Sequence, residues 1–442
     1  MTAPALQTIE RPGTAAGRDT HGEHTWAEAR RLAFDCAGPL GPERVPLAEA
    51  NGRTLAADVA ALQELPHYAS SAMDGWTVNG EGPWTLTEPG QPLRSGEASP
   101  VVTGGVIPPG TQAVLRVENG RLATNAANQA VLMLGDGASP GEPRPGQHIR
   151  RSGEEAAAGE VLIPAGTALN PAHIALAAVA GFDQLVVRGK PLVKILVTGS
   201  EVVTARIPAP GQVRDAFGPQ LSTVIQMLGG VPGPLVRIGD SYEEWLTALG
   251  ASEAPMGQWP DVIVTTGGTG RSGADHFRDA VAALGGRLLI DGIAMRPGHP
   301  VALGKLPNGR LVVGLPGNPL AALMALFTVG GPLLAALGHQ PLPGVSRVLC
   351  GASVDAHRAP TRLIPFRWVN GMADPVQFTG PGMMRGLASA DGVMAVPSRG
   401  AQPGEPVPAF ALPWRPALQP SLPGDLAWGN NLDWGNNLDW EN

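Results

Sequence analysis

Residues 262–276 read VIVTTGGTGRSGADH, a β-branched run that breaks into four closely spaced glycines and ends on an acid and a histidine. A loop of this composition lets backbone N–H groups approach a ligand, and clustered N–H groups favour phosphate. Gly268, Gly270 and Gly273 also satisfy the G-x-G-x-x-G pattern of dinucleotide sites, and Asp291 follows Gly273 by 18 residues, the spacing of a ribose-binding acid. An NAD(P)-dependent oxidoreductase therefore stays open on this stretch. Against it, the glycines sit behind two threonines and a Gly-Gly pair, and the unit is not the first of its sheet.

Two more loops have the same character. Thr198, Gly199, Ser200 and Glu201 follow one apolar run, and Pro316, Gly317 and Asn318 follow another, with Asn318 placed as an N-cap and Pro319 at the first helical position. Any one glycine loop is as readily a tight turn. Three on one sheet would share the carboxyl edge, where ligands of open α/β sheets bind. The phosphate-gripping set is then Thr198, Gly199, Ser200, Gly267, Gly268, Thr269, Gly270, Ser272, Pro316, Gly317 and Asn318. No Walker lysine follows any of the loops, which excludes P-loop NTPase chemistry.

The elements around these loops define a multidomain α/β plus β chain. Runs 192–198, 261–266, 286–290 and 310–315 read as strands, and 220–228, 242–249, 275–284 and 319–329 as helices. That alternation predicts a mostly parallel sheet over residues 191–338. Residues 66–146 carry short strands between Gly and Pro, the pattern of a small inserted β domain. Segments 23–65 and 147–190 form a discontinuous, elongated helical and β linker domain, opened by a capping box of Thr25 and Glu28. Residues 339–415 predict a C-terminal β domain. Residues 1–22 and the repeated tail in 416–442 are expected to be disordered.

Composition narrows the function. At 442 residues the chain is too long for one core. A net charge of −7 argues against nucleic acid as a partner. Cys36 and Cys350 are too few for a disulfide framework. The N-terminus has no apolar signal core. Residues 320–338 are uncharged and long enough to span a bilayer, yet Gly330, Gly331 and Pro332 interrupt them, so two packed helices of a soluble core or subunit interface are expected. The reading is cytoplasmic, with no membrane association.

Together with SAMDGWTV (71–78), GEASPVVTGGVIPPGTQAVLRVE (96–118), GQHIRRSGEEAAAGEVLIPAGT (146–167), VTGSE (197–201), TTGGTGRSGADHF (265–277), MRPGHP (295–300), GLPGNP (314–319) and TGPGMMRGLASADGVMAVP (379–397), the loops give the chain a family likeness over residues 25–410. It resembles the MoeA family of molybdopterin molybdenumtransferases, related to the E domain of gephyrin. The resemblance implies a MogA-like α/β domain and a homodimer whose cleft lies between that domain and the partner's small β domain. It also implies Mg²⁺-dependent insertion of molybdate into adenylylated molybdopterin with release of AMP, and as partners a MogA-like adenylyltransferase and molybdoenzymes.

Residue by residue, the resemblance places Asp74, Thr103, Glu155, Glu201 and Asp275 among the catalytic acids and their neighbours. Glu201 and Asp275 lie near the metal, and Asp215 contacts the nucleotide. Taken singly these acids would be turn or surface residues. Carboxylates beside an oxyanion make sense if Mg²⁺ offsets the repulsion, or if a protonated acid helps oxide leave as water.

The family's two-lysine turn for molybdate is Arg296-Pro297-Gly298-His299-Pro300 here, and Arg362 and Arg367 match its paired arginines. Arginine keeps the charge, whereas imidazole titrates near neutrality. Ala216 and Phe217 after Asp215, together with Ala321 and Pro381, stand where the family has polar side chains. A pterin-nucleotide binding or scaffold protein with weak or no turnover is therefore an alternative.

Overall fold

The computed structural model describes residues 23–125, 127–250, 259–270, 276–416 and 418. The expected leader, the repeated tail, Ser272 and Asp275 lie outside the described residues. Contacts divide the chain into two compact units, one of Leu40–Gly189 and one of the residues that flank it on both sides.

In the Leu40–Gly189 unit, a six-stranded sheet runs in the order Ala113–Arg116, Gly75–Val78, Glu97–Val101, Trp84–Leu86, Ala130–Leu134, Gly120–Thr124. Val78, Trp84, Leu115 and Leu132 fill its core, and the Trp84 indole N–H donates to the Gly80 carbonyl at 3.0 Å. Burying each large side chain is worth roughly 2–3 kcal/mol. Elsewhere in this unit distant segments pair antiparallel, Pro42–Pro46 with Gln184–Arg188 and Val59–Ala60 with Val161–Ile163, over a core of Leu55, Ile163, Leu185 and Val187.

In the other unit, the central sheet is ordered Val231–Ile238, Leu192–Thr198, Val262–Thr266, Leu311–Leu315, Ala302–Lys305, Arg287–Asp291. Only Ala302–Lys305 runs against the rest. Two strands carry no signal in the sequence. Val231–Ile238 contains Pro232 and Pro234, which an edge strand tolerates. Ala302–Lys305 is only four residues long. Helices Tyr242–Gly250 and Phe277–Ala283 press Trp245, Leu249, Phe277 and Val281 onto Leu196, Ile263 and Val312.

The apolar segment is one helix, Pro319–Leu337, wholly buried inside the fold, rather than the two packed helices its sequence predicts. Its middle turn, Leu326–Gly330, is a π-turn whose wider loop ends with the Gly331 N–H bonded to the Leu326 carbonyl. That widening takes up the ring and missing N–H of Pro332, which would otherwise break the helix.

Helix Trp26–Asp35 opens on the expected capping box. Its contacts lie on this buried helix rather than in the linker region to which its sequence position assigns it. The Trp26 indole donates to Thr328 Oγ1 at 3.1 Å, and buried Arg30 donates to the carbonyls of Phe327 and Pro343. Burial lowers the Arg30 pKa to about 10, so it stays cationic at neutral pH.

The C-terminal sheet is ordered Met295–Arg296, Thr361–Val369, Gly392–Pro397, Pro406–Ala411, Ser346–Leu349, with Met372–Pro375 also paired to Thr361–Val369. Its first strand is lent by the α/β domain, Met295 standing opposite Thr361 and Arg296 opposite Arg362.

Candidate functional site

Three strands of the central sheet end side by side, and their loops meet. The Thr198 hydroxyl donates to the Thr266 carbonyl at 2.5 Å, and the Gly267 N–H donates to the Leu315 carbonyl at 2.9 Å. A Cβ on Gly317 would lie 3.8 Å from Gly267 Cα. Gly267 and Gly268 adopt consecutive left-handed conformations, φ +77° and +66°. A Cβ on Gly268 would come 2.4 Å from the Trp245 ring, so no other residue fits there without displacement. The amides of Gly268 and Thr269 donate to no described residue. The buried hydroxyls of Thr265 and Thr266 likewise lack a partner among the described residues.

Asn318 sits at the expected N-cap position, but its side chain makes no capping bond and lies beside Gly382. The Ala321 amide in that first turn is taken by the Pro381 carbonyl. Residues 321 and 381, where the resemblance leads one to expect hydroxyl side chains, are thus joined through their backbones.

The acids at this edge divide by what already holds them. The Glu201 carboxylate lies against Gly199, where a Cβ would be 2.9 and 3.1 Å from its oxygens, and Glu201 is otherwise exposed. Asp240 carries no motif and no expectation, yet one of its oxygens accepts from both the amide and hydroxyl of Ser200 at 2.9 and 2.8 Å. Those two Ser200 donors are therefore engaged within the fold rather than open to phosphate.

Asp215 is buried and accepts from the amides of Phe217 and Gly218 and from Arg237. Burial pushes its pKa up, but the bonds from Gly218, Arg237 and Phe217 prevail and hold it below the usual carboxylate value. Asp291, the would-be ribose ligand, is engaged by Arg278 Nε at 2.7 Å and Nη2 at 2.6 Å. That pairing commits one carboxylate oxygen, Oδ1, to a structural partner.

The Arg296–Pro300 turn borders a pocket of about 320 Å³ lined by Glu23, Met295, Arg296, His299, His357 and Arg358, with smaller residues between them. Gly298, at φ +110°, lets the turn approach the buried helix; a Cβ there would lie 2.8 Å from Met295 Cε and 3.1 Å from the Ala321 carbonyl. His299 Nδ1 donates to the Ile293 carbonyl at 2.9 Å, which directs Nε2 toward Glu23 at 3.5 Å. Arg296 is exposed and bends one donor onto the Met295 carbonyl.

His357 and Arg358 are more than fifty residues from the turn in sequence, and no motif marks them. The Arg296–Arg362 rung brings their loop alongside. Arg362 donates to the Asp355 carbonyl at 3.3 Å, while Arg367 is exposed five residues farther along an unbroken strand. At about 3.3 Å per residue the two lie roughly 17 Å apart on opposite faces, so they do not complete one pocket together.

In the Leu40–Gly189 unit, Asp74 and Thr103 do come together. The Thr103 amide and hydroxyl both donate to Asp74 Oδ1, at 2.6 and 2.8 Å, on an exposed surface. Those two bonds hold the Asp74 carboxyl below its ordinary pKa. Glu155 is exposed, its amide bonded to the Leu65 carbonyl.

No group of three or more His, Cys, Asp or Glu able to hold a metal exists among the described residues. Glu201 presents an exposed carboxylate at this edge, with Asp240 bonded to the neighbouring Ser200.

Known proteins resemble the chain over most of its length. Residues 24–181 match the MoeA N-terminal region (domain I and II), and residues 194–336 match a probable molybdopterin binding domain. A molybdopterin molybdenumtransferase of Nostoc sp. is 32% identical over 67% of this chain and 69% of its own length. Molybdopterin molybdenumtransferase 2 of Mycobacterium tuberculosis is 30% identical over 84% of this chain and 94% of its own. The crystal structure of a molybdopterin biosynthesis MoeA protein from Pyrococcus horikoshii superposes with a TM-score of 0.70 at 25% identity, covering 88% of this chain and 99% of that one. With three glycine loops meeting on a MogA-like sheet and relatives aligned along most of its length, the chain belongs to the MoeA family of molybdopterin molybdenumtransferases.

Proposed function

We propose that this transferase inserts molybdate into adenylylated molybdopterin with release of AMP, using two neighbouring surfaces. The observation that carries the reading is the meeting of the 198–201, 267–270 and 316–318 loops at one edge of the sheet. Backbone amides there receive the nucleotide's phosphates. The pocket of Arg296, His299, His357 and Arg358 receives the tetrahedral oxyanion, its cations supplying the charge that the glycine edge lacks. Mg²⁺, when bound, neutralises phosphate and polarises it toward cleavage. Glu201 is the carboxylate that would hold it, with Asp275 as its expected companion. As the two dithiolene thiols form their bonds to the metal, their two protons pass to the departing oxide, which leaves as water, and a nearby carboxylate relays them. A homodimer, in which the Asp74–Thr103 pair of one copy serves the nucleotide site of the other, belongs to the same reading.

Purified chain supplied with Mg²⁺, molybdate and adenylylated molybdopterin should release AMP and yield cofactor that activates an apo-molybdoenzyme. Substrate returned intact would sink the reading. The loss of both lysines from the oxyanion turn favours one rival, nucleotide binding without turnover. That rival predicts saturable substrate binding and no AMP even at high molybdate.

A further inference from the structure

We propose that Arg278 is a positioning residue for phosphate binding: anchored by Asp291, it holds the carbonyls of the glycine loop so that the loop's amides face the nucleotide. The inference rests on the reading of that loop as a phosphate site and names the device that aims it.

Arg278 stands in the first turn of helix Phe277–Ala283. Its Nε and Nη2 both meet Asp291 Oδ1, at 2.7 and 2.6 Å. The third nitrogen, Nη1, lies 2.8 Å from the Thr269 carbonyl and 2.8 Å from the Gly270 carbonyl. One residue earlier, the Phe277 amide donates to the Gly268 carbonyl at 3.3 Å. Three consecutive carbonyls are thus turned toward the start of one helix.

Peptide planarity makes this directional. In a trans peptide the C=O of one residue and the N–H of the next point in opposite senses. Holding the Gly268 and Thr269 carbonyls therefore turns the Thr269 and Gly270 amides the other way, away from Arg278. Without the clamp, a run this rich in glycine has many backbone states of similar energy. A bound phosphate would then have to order the loop itself, and affinity would fall by that cost.

Only a guanidinium meets all these demands. Its planar fork presents Nε and Nη2 to one carboxylate while Nη1 reaches two carbonyls on the far side. A lysine ammonium in the same place keeps the charge but cannot span both groups. Asp291 fixes the fork from the sheet's edge strand. Neither residue needs to touch substrate, which distinguishes this role from that of a phosphate-binding arginine.

The test uses the full chain, with AMP as the titrated ligand, thermal unfolding as the control and amide hydrogen exchange across residues 267–270 as a direct readout of loop order. R278K should weaken AMP at least 10-fold and speed loop exchange while shifting the unfolding midpoint little. D291N should fall between R278K and wild type. In turnover, KM for adenylylated molybdopterin should rise more than kcat falls. Wild-type binding with R278K equal to it in affinity and exchange would overturn the clamp alone. A wild-type chain that binds neither AMP nor pyrophosphate would overturn both the clamp and the phosphate reading beneath it.

Discussion

The two surfaces of the proposed site are built from different materials. The glycine edge is made of main chain, with carbonyls and amides set by φ values near +70° and by bonds between neighbouring strand ends. The Arg296 pocket is made of side chains on a turn and a distant loop. A backbone site carries no titrating group and accepts almost no substitution. A side-chain site can exchange one cation for another while the fold around it stays unchanged. The two surfaces therefore tolerate change differently: the cations at 296 and 299 can differ in kind, whereas Gly267 and Gly268 are held to glycine by their backbone.

Altering the edge should do the most damage. Gly268→Ala combines a left-handed backbone with a Cβ driven into the Trp245 ring. We expect a loss of about 3 kcal/mol in stability by thermal unfolding. Catalytic efficiency, followed as AMP release, should drop at least 100-fold. Tolerance of this substitution would end the claim that the edge is rigid.

Arg296→Ala should raise KM for molybdate roughly 10- to 50-fold, as expected for a lost charged contact to an anion. AMP affinity and the unfolding midpoint should stay where they are. A matched loss of AMP binding would show that the two surfaces are one.

Asp215→Asn probes the scaffold beside the edge, at a cost of about 2 kcal/mol near pH 7 from weakened bonds to Arg237 and two amides. The folded-state pKa of Asp215 lies below the unfolded value of about 3.9. Its stabilisation is therefore present above that value and is lost as pH falls through the folded one. The gap between wild type and variant should narrow below about pH 4, as followed by chemical denaturation. A constant gap across pH would mean that the carboxylate charge contributes nothing.

The smallest effect is expected from His299→Lys, which restores one lysine of the turn. Molybdate affinity should rise a few-fold, because a flexible ammonium adds a compact positive charge beside the oxyanion. Isothermal titration checks this, and an unchanged affinity would assign His299 a purely structural part.

Much of this organisation is legible in the sequence because it is written in local pattern. Apolar β-branched runs such as 192–198 and 311–315 end in turn residues, and those signals need no tertiary knowledge. What escapes depends on distant partners. The strand Val231–Ile238 looks broken by its prolines until its place at the edge is known. Asp240 and Ser200 are an ordinary acid and serine forty residues apart, and His357 and Arg358 gain meaning only from the Met295–Thr361 pairing. The apolar helix misleads for another reason: Gly330-Gly331-Pro332 is a sound stop signal in an isolated α-helix, and a π-turn overrides it. Arg362 and Arg367 show the converse error, since a five-residue spacing in an extended strand parts what a family motif groups together.

The strand Met295–Arg296 originates in one domain and hydrogen-bonds into the sheet of the next. Half the proposed oxyanion pocket therefore travels with the module that follows the α/β domain. Grafting residues 341–412 from a relative with a different taste in metal oxides should recast anion choice through that seam.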